Sequence, residues 1–122
     1  MRELTKAEEQ IMHIVWELEK AFVRDIIDKL PEPKPAYNTV STIVRILEEK
    51  EFLSHRAFGK SHQYYPLISR SKYRDFATRK LLSGYFGGSF ENLLSYFAKE
   101  RDLSLEDIQR ILDDANKDKN QH

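Results

Sequence analysis

The segment from Tyr37 to Glu51 constrains the fold more than any other part of this 122-residue chain. Its apolar residues recur at the i, i+3, i+4 and i+7 positions of one helical face, namely Val40, Ile43, Val44 and Leu47. The opposite face carries short polar side chains and one arginine: Asn38, Ser41, Thr42 and Arg45. Because such short polar residues are poorer helix formers than Glu and Lys, their concentration on an outer face needs an explanation other than solvation.

Two shorter helices are predicted before this segment. Thr5 and Glu8 form a capping box, from which apolar residues at helical spacing extend to about position 20. A second helix, at about 23–30, is ended by three prolines, since proline cannot continue a helix and disfavours helical geometry in the residue before it. The short connection to the helix at 37–51 is the one that a helix-turn-helix requires.

A β-hairpin is predicted directly after the third helix. Two short strands, at 52–56 and 61–65, are joined around Gly59, and Pro66 closes the second strand. Three helices followed by a hairpin predict a winged helix-turn-helix. We therefore expect a mainly α-helical chain with one small hairpin, in which residues 1–68 form a DNA-binding domain.

Residues 69–116 are predicted to form a helical dimerisation region, followed by a polar tail at 117–122. Seven of the fourteen aromatic residues lie after position 70, and three short helices cannot bury that much apolar surface alone. We expect this surface to pair with a second copy, because two-fold homodimers are the commonest oligomers and aromatic residues are enriched in interface cores. The residues assigned to this homodimer interface are Tyr85, Phe86, Phe90, Leu93, Leu94, Phe97, Ile108, Ile111 and Leu112.

Charge is distributed unevenly along the chain, although the net charge is zero. Residues 1–32 hold five Lys or Arg against eight Asp or Glu, residues 33–80 hold ten against four, and residues 81–122 again hold five against eight. The basic block contains the third helix and the hairpin, as expected for a surface that binds a polyanion.

The residue types within this block match double-stranded DNA. Hydroxyl, amide and guanidinium groups can reach base edges and phosphates in a major groove. The residues predicted to bind DNA are Asn38, Thr39, Ser41, Thr42 and Arg45 on the helix and Arg56, Lys60 and His62 on the hairpin. Arg45 could clamp a phosphate or read a guanine, and the sequence does not separate these two roles.

Composition excludes several classes of function. The chain has no cysteine, so disulfides, thiolate metal sites and cysteine nucleophiles are excluded. Because no glycine-rich phosphate loop, metal-ligand set or nucleophile motif is present, we expect no enzyme, no cofactor and no metal site. No apolar run approaches the length of a membrane span and no signal leader is evident, so we expect a cytoplasmic protein without membrane insertion.

Two alternatives stay open at this point. His55 and His62 could meet across the hairpin as a metal or pH-sensing pair, or lie there as ordinary exposed residues. Glu9 and His13 stand one helical turn apart, where they could form an ion pair or supply two metal ligands. The rival function for the whole chain is a winged helix that binds a protein partner. Zero net charge and the aromatic C-terminal region favour that rival, whereas the basic block at 33–80 favours DNA.

These motifs together resemble the penicillinase-repressor (BlaI/MecI/CopY) family of bacterial transcription regulators. Three stretches carry the resemblance: Leu4–Glu8 with Met12 and Trp16, Asn38–Arg45 with Leu47, Lys50 and Leu53, and Phe97 with Leu103–Ser104, Glu106, Ile108 and Ile111–Leu112. The resemblance implies a homodimeric repressor on a two-fold-symmetric operator. It also implies that Asn38, Thr39, Thr42 and Arg45 touch DNA.

The chain departs from the family pattern at three points. In one branch of the family a membrane sensor protease triggers cleavage at an Asn-Phe bond, and Tyr96-Phe97 stands in its place here as the candidate proteolytic site. The copper-responsive branch uses C-terminal cysteine ligands, which this chain lacks. Ile46 stands where some relatives have a second basic residue, so it could pack on a thymine methyl group or a sugar.

Overall fold

The computed structural model describes the backbone of residues 1–120 and the side chains of residues 1–117. Six helices and one antiparallel hairpin follow each other in this order: α1 (Lys6–Leu18), α2 (Val23–Lys29), α3 (Tyr37–Glu49), β1 (Leu53–Phe58), β2 (Ser61–Pro66), α4 (Arg70–Tyr85), α5 (Phe90–Glu100) and α6 (Leu105–Asn120). This order confirms the predicted mainly α-helical fold with one hairpin. Contacts within the chain divide it into two units, Met1–Ala77 and Thr78–His122.

The predicted capping box begins α1. The Glu8 backbone N–H donates to Thr5 Oγ1 over 3.2 Å, and the Thr5 N–H donates to Glu8 Oε1 over 2.8 Å. At the start of α2, the Phe22 N–H donates to Asp25 Oδ2 over 2.8 Å. These bonds satisfy backbone donors that have no partner within their own helix, and they fix where each helix begins.

A lysine closes the turn between α2 and α3. Lys34 Nζ donates to the backbone carbonyls of Ile27, Asp28 and Leu30 over 3.1, 2.9 and 2.6 Å. These carbonyls belong to the end of α2, where a positive charge also interacts favourably with the helix dipole. The proline-rich connection is therefore held against the helix that it leaves.

The core of the first unit is formed by α1, α2, α3 and the hairpin. Its largest fully buried side chains are Phe52, Met12, Ile26, Leu47, Leu53, Val15, Val40 and Val44. Tyr73, in the first turns of α4, is also buried, and its hydroxyl accepts a hydrogen bond from the Leu4 N–H over 3.1 Å. Because Tyr73 packs into this core, the first unit extends to Ala77, whereas the sequence placed the boundary after residue 68.

The hairpin is longer than predicted and has a tight connection. Its register runs from Leu53 opposite Pro66 to Phe58 opposite Ser61, which leaves Gly59 and Lys60 as a two-residue loop. Gly59 has a φ of +64°, as glycine has at the first central position of a type II′ turn.

The second unit consists of the end of α4 with α5 and α6. Ser89 Oγ accepts a hydrogen bond from the Asn92 N–H at the start of α5, and Ser104 and Asp107 exchange two such bonds at the start of α6. Gly84 lies within α4, and Gly87 and Gly88 follow this helix with positive φ.

The last helix overlaps the predicted polar tail. α6 extends to Asn120, so the tail assigned to 117–122 begins within this helix. Residues 121–122 of that tail lie outside the described residues. No side chain of residues 78–117 is buried, which leaves the apolar residues of the second unit without a closed core.

Candidate nucleic-acid interface

Helix α3 exposes most of the polar residues that the sequence assigned to DNA. Burial of Val40, Val44 and Leu47 against the core fixes which side of the helix faces outwards. The remaining face is exposed at Asn38, Thr39, Thr42 and Arg45, and half-buried at Ser41. The helix is therefore held by its apolar face, and its polar face is left available to a ligand.

The polar side chains of α3 bond to their own helix. Thr42 Oγ1 donates to the Asn38 carbonyl over 2.8 Å, and Arg45 Nε donates to the Ser41 carbonyl over 3.4 Å. Both bonds are exposed to solvent, so the groups can exchange them for bonds to a ligand at small net cost. The Arg45 guanidinium retains its other donors.

The hairpin carries its predicted DNA-binding residues on exposed positions. Arg56, Lys60 and His62 are all exposed. The His62 ring stacks on His55 with centroids 4.0 Å apart and planes 9° apart, so these histidines lie together across the hairpin. His55 Nδ1 lies 2.6 Å from Glu48 Oε2, which ties the end of α3 to the hairpin.

A groove of about 260 Å³ lies where α3 meets the hairpin. Four of the eight predicted DNA-binding residues line it, namely Ser41, Arg45, Lys60 and His62. Two cationic side chains and a hydroxyl group thus converge from α3 and from the hairpin that follows it. This arrangement suits a phosphate group, which accepts charge-assisted hydrogen bonds from Arg and Lys.

Two tyrosines complete this groove and were missed as site residues. Tyr37, the first residue of α3, is 52% exposed, and Tyr64 lies at the base of the groove. Burial raises the pKa of the Tyr64 hydroxyl above its usual value and the Glu48 carboxylate adds to this, so the hydroxyl keeps its proton and can donate. The position of Tyr37 at the start of the polar helix was the available signal.

Two acidic side chains are paired at the C-terminal end of α3. Glu48 is paired with His55, and Lys50 Nζ lies 2.7 Å from Glu8 Oε1 on α1. Burial alone would raise the pKa of the Glu8 carboxyl, but hydrogen bonds from Lys50 and from the Thr5 N–H outweigh it and hold the pKa below its usual value. Glu8 is therefore ionised at neutral pH and anchors the end of the helix.

Glu9 and His13, the two possible metal ligands on α1, lie as a pair on the surface of this helix. His13 Nε2 and Glu9 Oε1 lie 3.6 Å apart as an exposed i, i+4 pair, which is the simpler of the two predicted roles. Among residues 1–117, no group of three or more His, Asp or Glu side chains is placed to hold a metal ion.

Within the described helices, none combines the length and apolar character needed to cross a bilayer.

The residues assigned to dimerisation lie in the second unit and are largely uncovered. Tyr85 is 81% exposed, and Phe90, Phe97, Ile111 and Leu112 are also exposed. The rest of the set is half-buried: Phe86, Leu93, Leu94 and Ile108. Exposed apolar side chains are typical of interaction sites where they lie together on one surface.

Comparison with known proteins shows the family to which this sequence belongs. The family model described as penicillinase repressor matches residues 4–116. The methicillin resistance regulatory protein MecI of Staphylococcus aureus (strain N315) is 27% identical over 116 residues, which cover 94% of each chain. The penicillinase repressor of Bacillus licheniformis is 23% identical over 119 residues, covering 97% of this chain and 93% of its own.

A solved structure is similar to part of this chain. It is the DNA-binding domain of the repressor BlaI, determined in solution, which is 25% identical in sequence and superposes with a TM-score of 0.51. The match covers 60% of this chain and 94% of that domain. A little over half of this chain is therefore similar to a solved DNA-binding domain.

Proposed function

This chain belongs to the penicillinase repressor family, and from that premise we propose that it represses transcription as a homodimer on a two-fold-symmetric operator. The coarser statement, that it is a DNA-binding transcription regulator, follows from the family and its relatives. One observation supports DNA binding through α3 and the hairpin most directly. Arg45, Lys60 and His62 converge on one groove between α3 and the hairpin, beside the exposed polar face of α3.

In the proposed complex α3 is the recognition helix, and the hairpin β1–β2 is the wing. Asn38 and Thr42 lie on the exposed face that enters the major groove, where amide and hydroxyl groups can bond to base edges. Arg56 and Lys60 of the wing lie against the flanking phosphates. Tyr37 and Tyr64 donate to phosphate from the groove between the two elements.

The proposed homodimer is formed by the apolar residues of the second unit. Their exposure supports this assignment, because a single copy leaves Tyr85, Phe90 and Leu112 uncovered. A dimer places its two recognition helices one turn of DNA apart, about 34–36 Å, and so requires a pseudo-palindromic operator. Loss of the dimer removes the bivalent contact and hence most of the affinity.

Release is proposed to occur by proteolysis, with a membrane sensor protease as the partner that triggers it. The Tyr96-Phe97 bond lies in α5, and both side chains are nearly half exposed. A cut there separates Phe90, Leu93 and Leu94 from Phe97 and the apolar residues of α6, and so weakens the dimer. The regulator acts in the cytoplasm, where it meets bacterial DNA, and is not inserted in the membrane.

The decisive experiment measures binding to a duplex from the region upstream of the gene. Arg45, Arg56 and Lys60 supply three cations per protomer, or six per dimer, so the affinity should fall by roughly 10³-fold between 50 and 200 mM salt. Arg45→Ala should weaken binding by about 1–3 kcal/mol. Lys6→Ala serves as the matched control, because Lys6 is an exposed cation on α1.

Arg45→Lys separates the two roles that the sequence left open. Lysine keeps the positive charge but cannot form the bidentate contact that arginine makes with guanine. Retained affinity with retained specificity indicates a phosphate clamp, whereas lost discrimination at one base pair indicates base recognition. A complex that is insensitive to salt, or no complex at all, would contradict the proposed function and favour a protein-binding winged helix.

A further inference from the structure

Phe58 is a large apolar side chain at the tip of the wing that the proposed DNA contacts do not use. It is the last residue of β1, directly before the Gly59-Lys60 loop, and it is 50% exposed. Its ring meets the ring of Phe22 edge to face, with centroids 6.0 Å apart and planes at 67°. This is the geometry that aromatic pairs favour.

Phe22 is firmly held at the start of the helix-turn-helix. Its backbone N–H is bonded to Asp25, and the residue before it, Ala21, pairs with Tyr64 of β2. Two backbone hydrogen bonds join Ala21 and Tyr64, over 2.9 and 2.8 Å. The hairpin is therefore attached to the helical body at its middle, and the Phe22–Phe58 contact lies further towards the tip.

Phe58 also lies next to the cationic groups of the wing. The Arg56 guanidinium carbon is 5.8 Å from the Phe58 ring centroid, within the range of a cation–π contact. Lys60 follows two residues after Phe58 in the loop. One aromatic ring thus joins the body of the domain to Arg56, two residues before Phe58, and both Arg56 and Lys60 are proposed to bind phosphate.

We infer that the Phe22–Phe58 contact fixes the angle of the wing tip, and that both phenylalanines are positioning residues for the phosphate contacts of Arg56 and Lys60. This inference rests on the proposed DNA-binding function. Without that contact the two-residue hairpin tip can rotate about its strands, and its cations then contact phosphates in only a fraction of the complexes. Preorganisation by the aromatic pair removes that loss of affinity.

The test compares Phe58→Ala with Phe58→Tyr, using fluorescence anisotropy with the upstream duplex at several salt concentrations. The alanine variant should bind about tenfold more weakly at low salt, and its salt slope should fall by up to about 1.8 per protomer, because two phosphate contacts are weakened. The tyrosine variant keeps the ring and should restore both the affinity and the slope. Tyr65→Ala is the matched control, as an exposed aromatic residue on the same hairpin.

A double-variant cycle tests whether the two rings act together. If they do, Phe22→Ala should weaken binding as Phe58→Ala does, and the double variant should lose little more than either single one. Phe58→Leu keeps an apolar side chain without the ring, so it provides the same comparison should the alanine variant not fold. Circular dichroism and Trp16 fluorescence verify the fold of each variant.

The outcomes separate the inference from the function on which it rests. Failure of the unaltered chain to bind the duplex would overturn the proposed function. Salt-dependent binding by the unaltered chain, together with the same affinity and slope for Phe58→Ala or Phe58→Leu, would overturn the positioning role alone. A weaker affinity with an unchanged slope would also count against it, since the phosphate contacts would then be intact.

Discussion

The ion pair between Glu8 and Lys50 allows a quantitative test of how the recognition helix is held. Their side chains are only 7% and 17% exposed, and they join the first turn of α1 to the residue that ends α3. Glu8→Gln is nearly isosteric, so it removes the negative charge without opening a cavity. We expect this single change to destabilise the first unit measurably at neutral pH.

The size of the effect follows from the bonds that change. In the wild-type chain the 2.7 Å hydrogen bond from Lys50 Nζ joins two ions, whereas in Glu8→Gln the same donor meets a neutral amide oxygen. The Thr5 N–H can still donate to that amide oxygen. The difference between these bond classes is about 1–2 kcal/mol. For a unit of this size, 1 kcal/mol shifts Tm by about 4–8 °C, so Tm should fall by about 5–15 °C.

The assay is thermal unfolding followed by the fluorescence of Trp16, the single tryptophan, which lies in the first unit. Glu9→Gln is a matched control, because it makes the same substitution on the next residue. The Glu9 side chain is 47% exposed and its partner His13 is also exposed, so its loss should cost less than about 0.5 kcal/mol.

The pH dependence gives the prediction a definite sign. The pKa of Glu8 in the folded state lies below its usual value of 4.5, so its stabilising contribution is present above about pH 4.5 and disappears as the pH falls through the folded-state pKa. The gap in Tm between the unaltered chain and Glu8→Gln should therefore be largest near pH 7 and shrink at acid pH. Equal Tm values at pH 7, or a gap that persists unchanged at pH 3, would refute the reasoning.

Three further predictions concern other parts of the chain. Phe90→Asp with Leu94→Asp should yield a monomer of 14.5 kDa in sedimentation equilibrium, and a mass that stays at twice this value would exclude the proposed interface. Co-expression with a cognate sensor protease under inducing conditions should give fragments that end at Tyr96 and begin at Phe97, and an intact chain would argue against release by cleavage. Tyr73→Phe removes the buried acceptor of a backbone N–H and should cost about 1–3 kcal/mol in urea unfolding, with an unchanged free energy as the contrary result.

Features that depend on local spacing were predictable from the sequence. The buried face of α3 follows from the 3.6-residue period of Val40, Val44 and Leu47, and the capping box of α1 follows from the three-residue separation of Thr5 and Glu8. Each signal lies within a few residues, so no knowledge of the tertiary fold is needed. The exposed polar face of α3 was obtained from the same period.

Features that depend on distant partners were not predictable in this way. Glu8 was predicted only as a cap, but it is buried because Lys50, 42 residues further along, neutralises it. The aromatic contact of Phe22 with Phe58 and the anchoring of Tyr73 in the first unit likewise join residues that no periodic pattern relates. Long-range pairs of this kind set the domain boundary and the attachment of the wing.

The long-range contacts that attach the wing have one consequence for DNA binding in common. The end of α3 is tied to the hairpin through Glu48 and His55, and to α1 through Lys50. The hairpin is tied in turn to the start of α2 through Ala21 and Phe22. Because packed elements with several independent attachments cannot rotate separately, the recognition helix and the wing should meet DNA as one body. The affinity of each protomer then depends on contacts that never touch DNA, and variants at those positions should weaken binding even though the side chains proposed to bind DNA are all present.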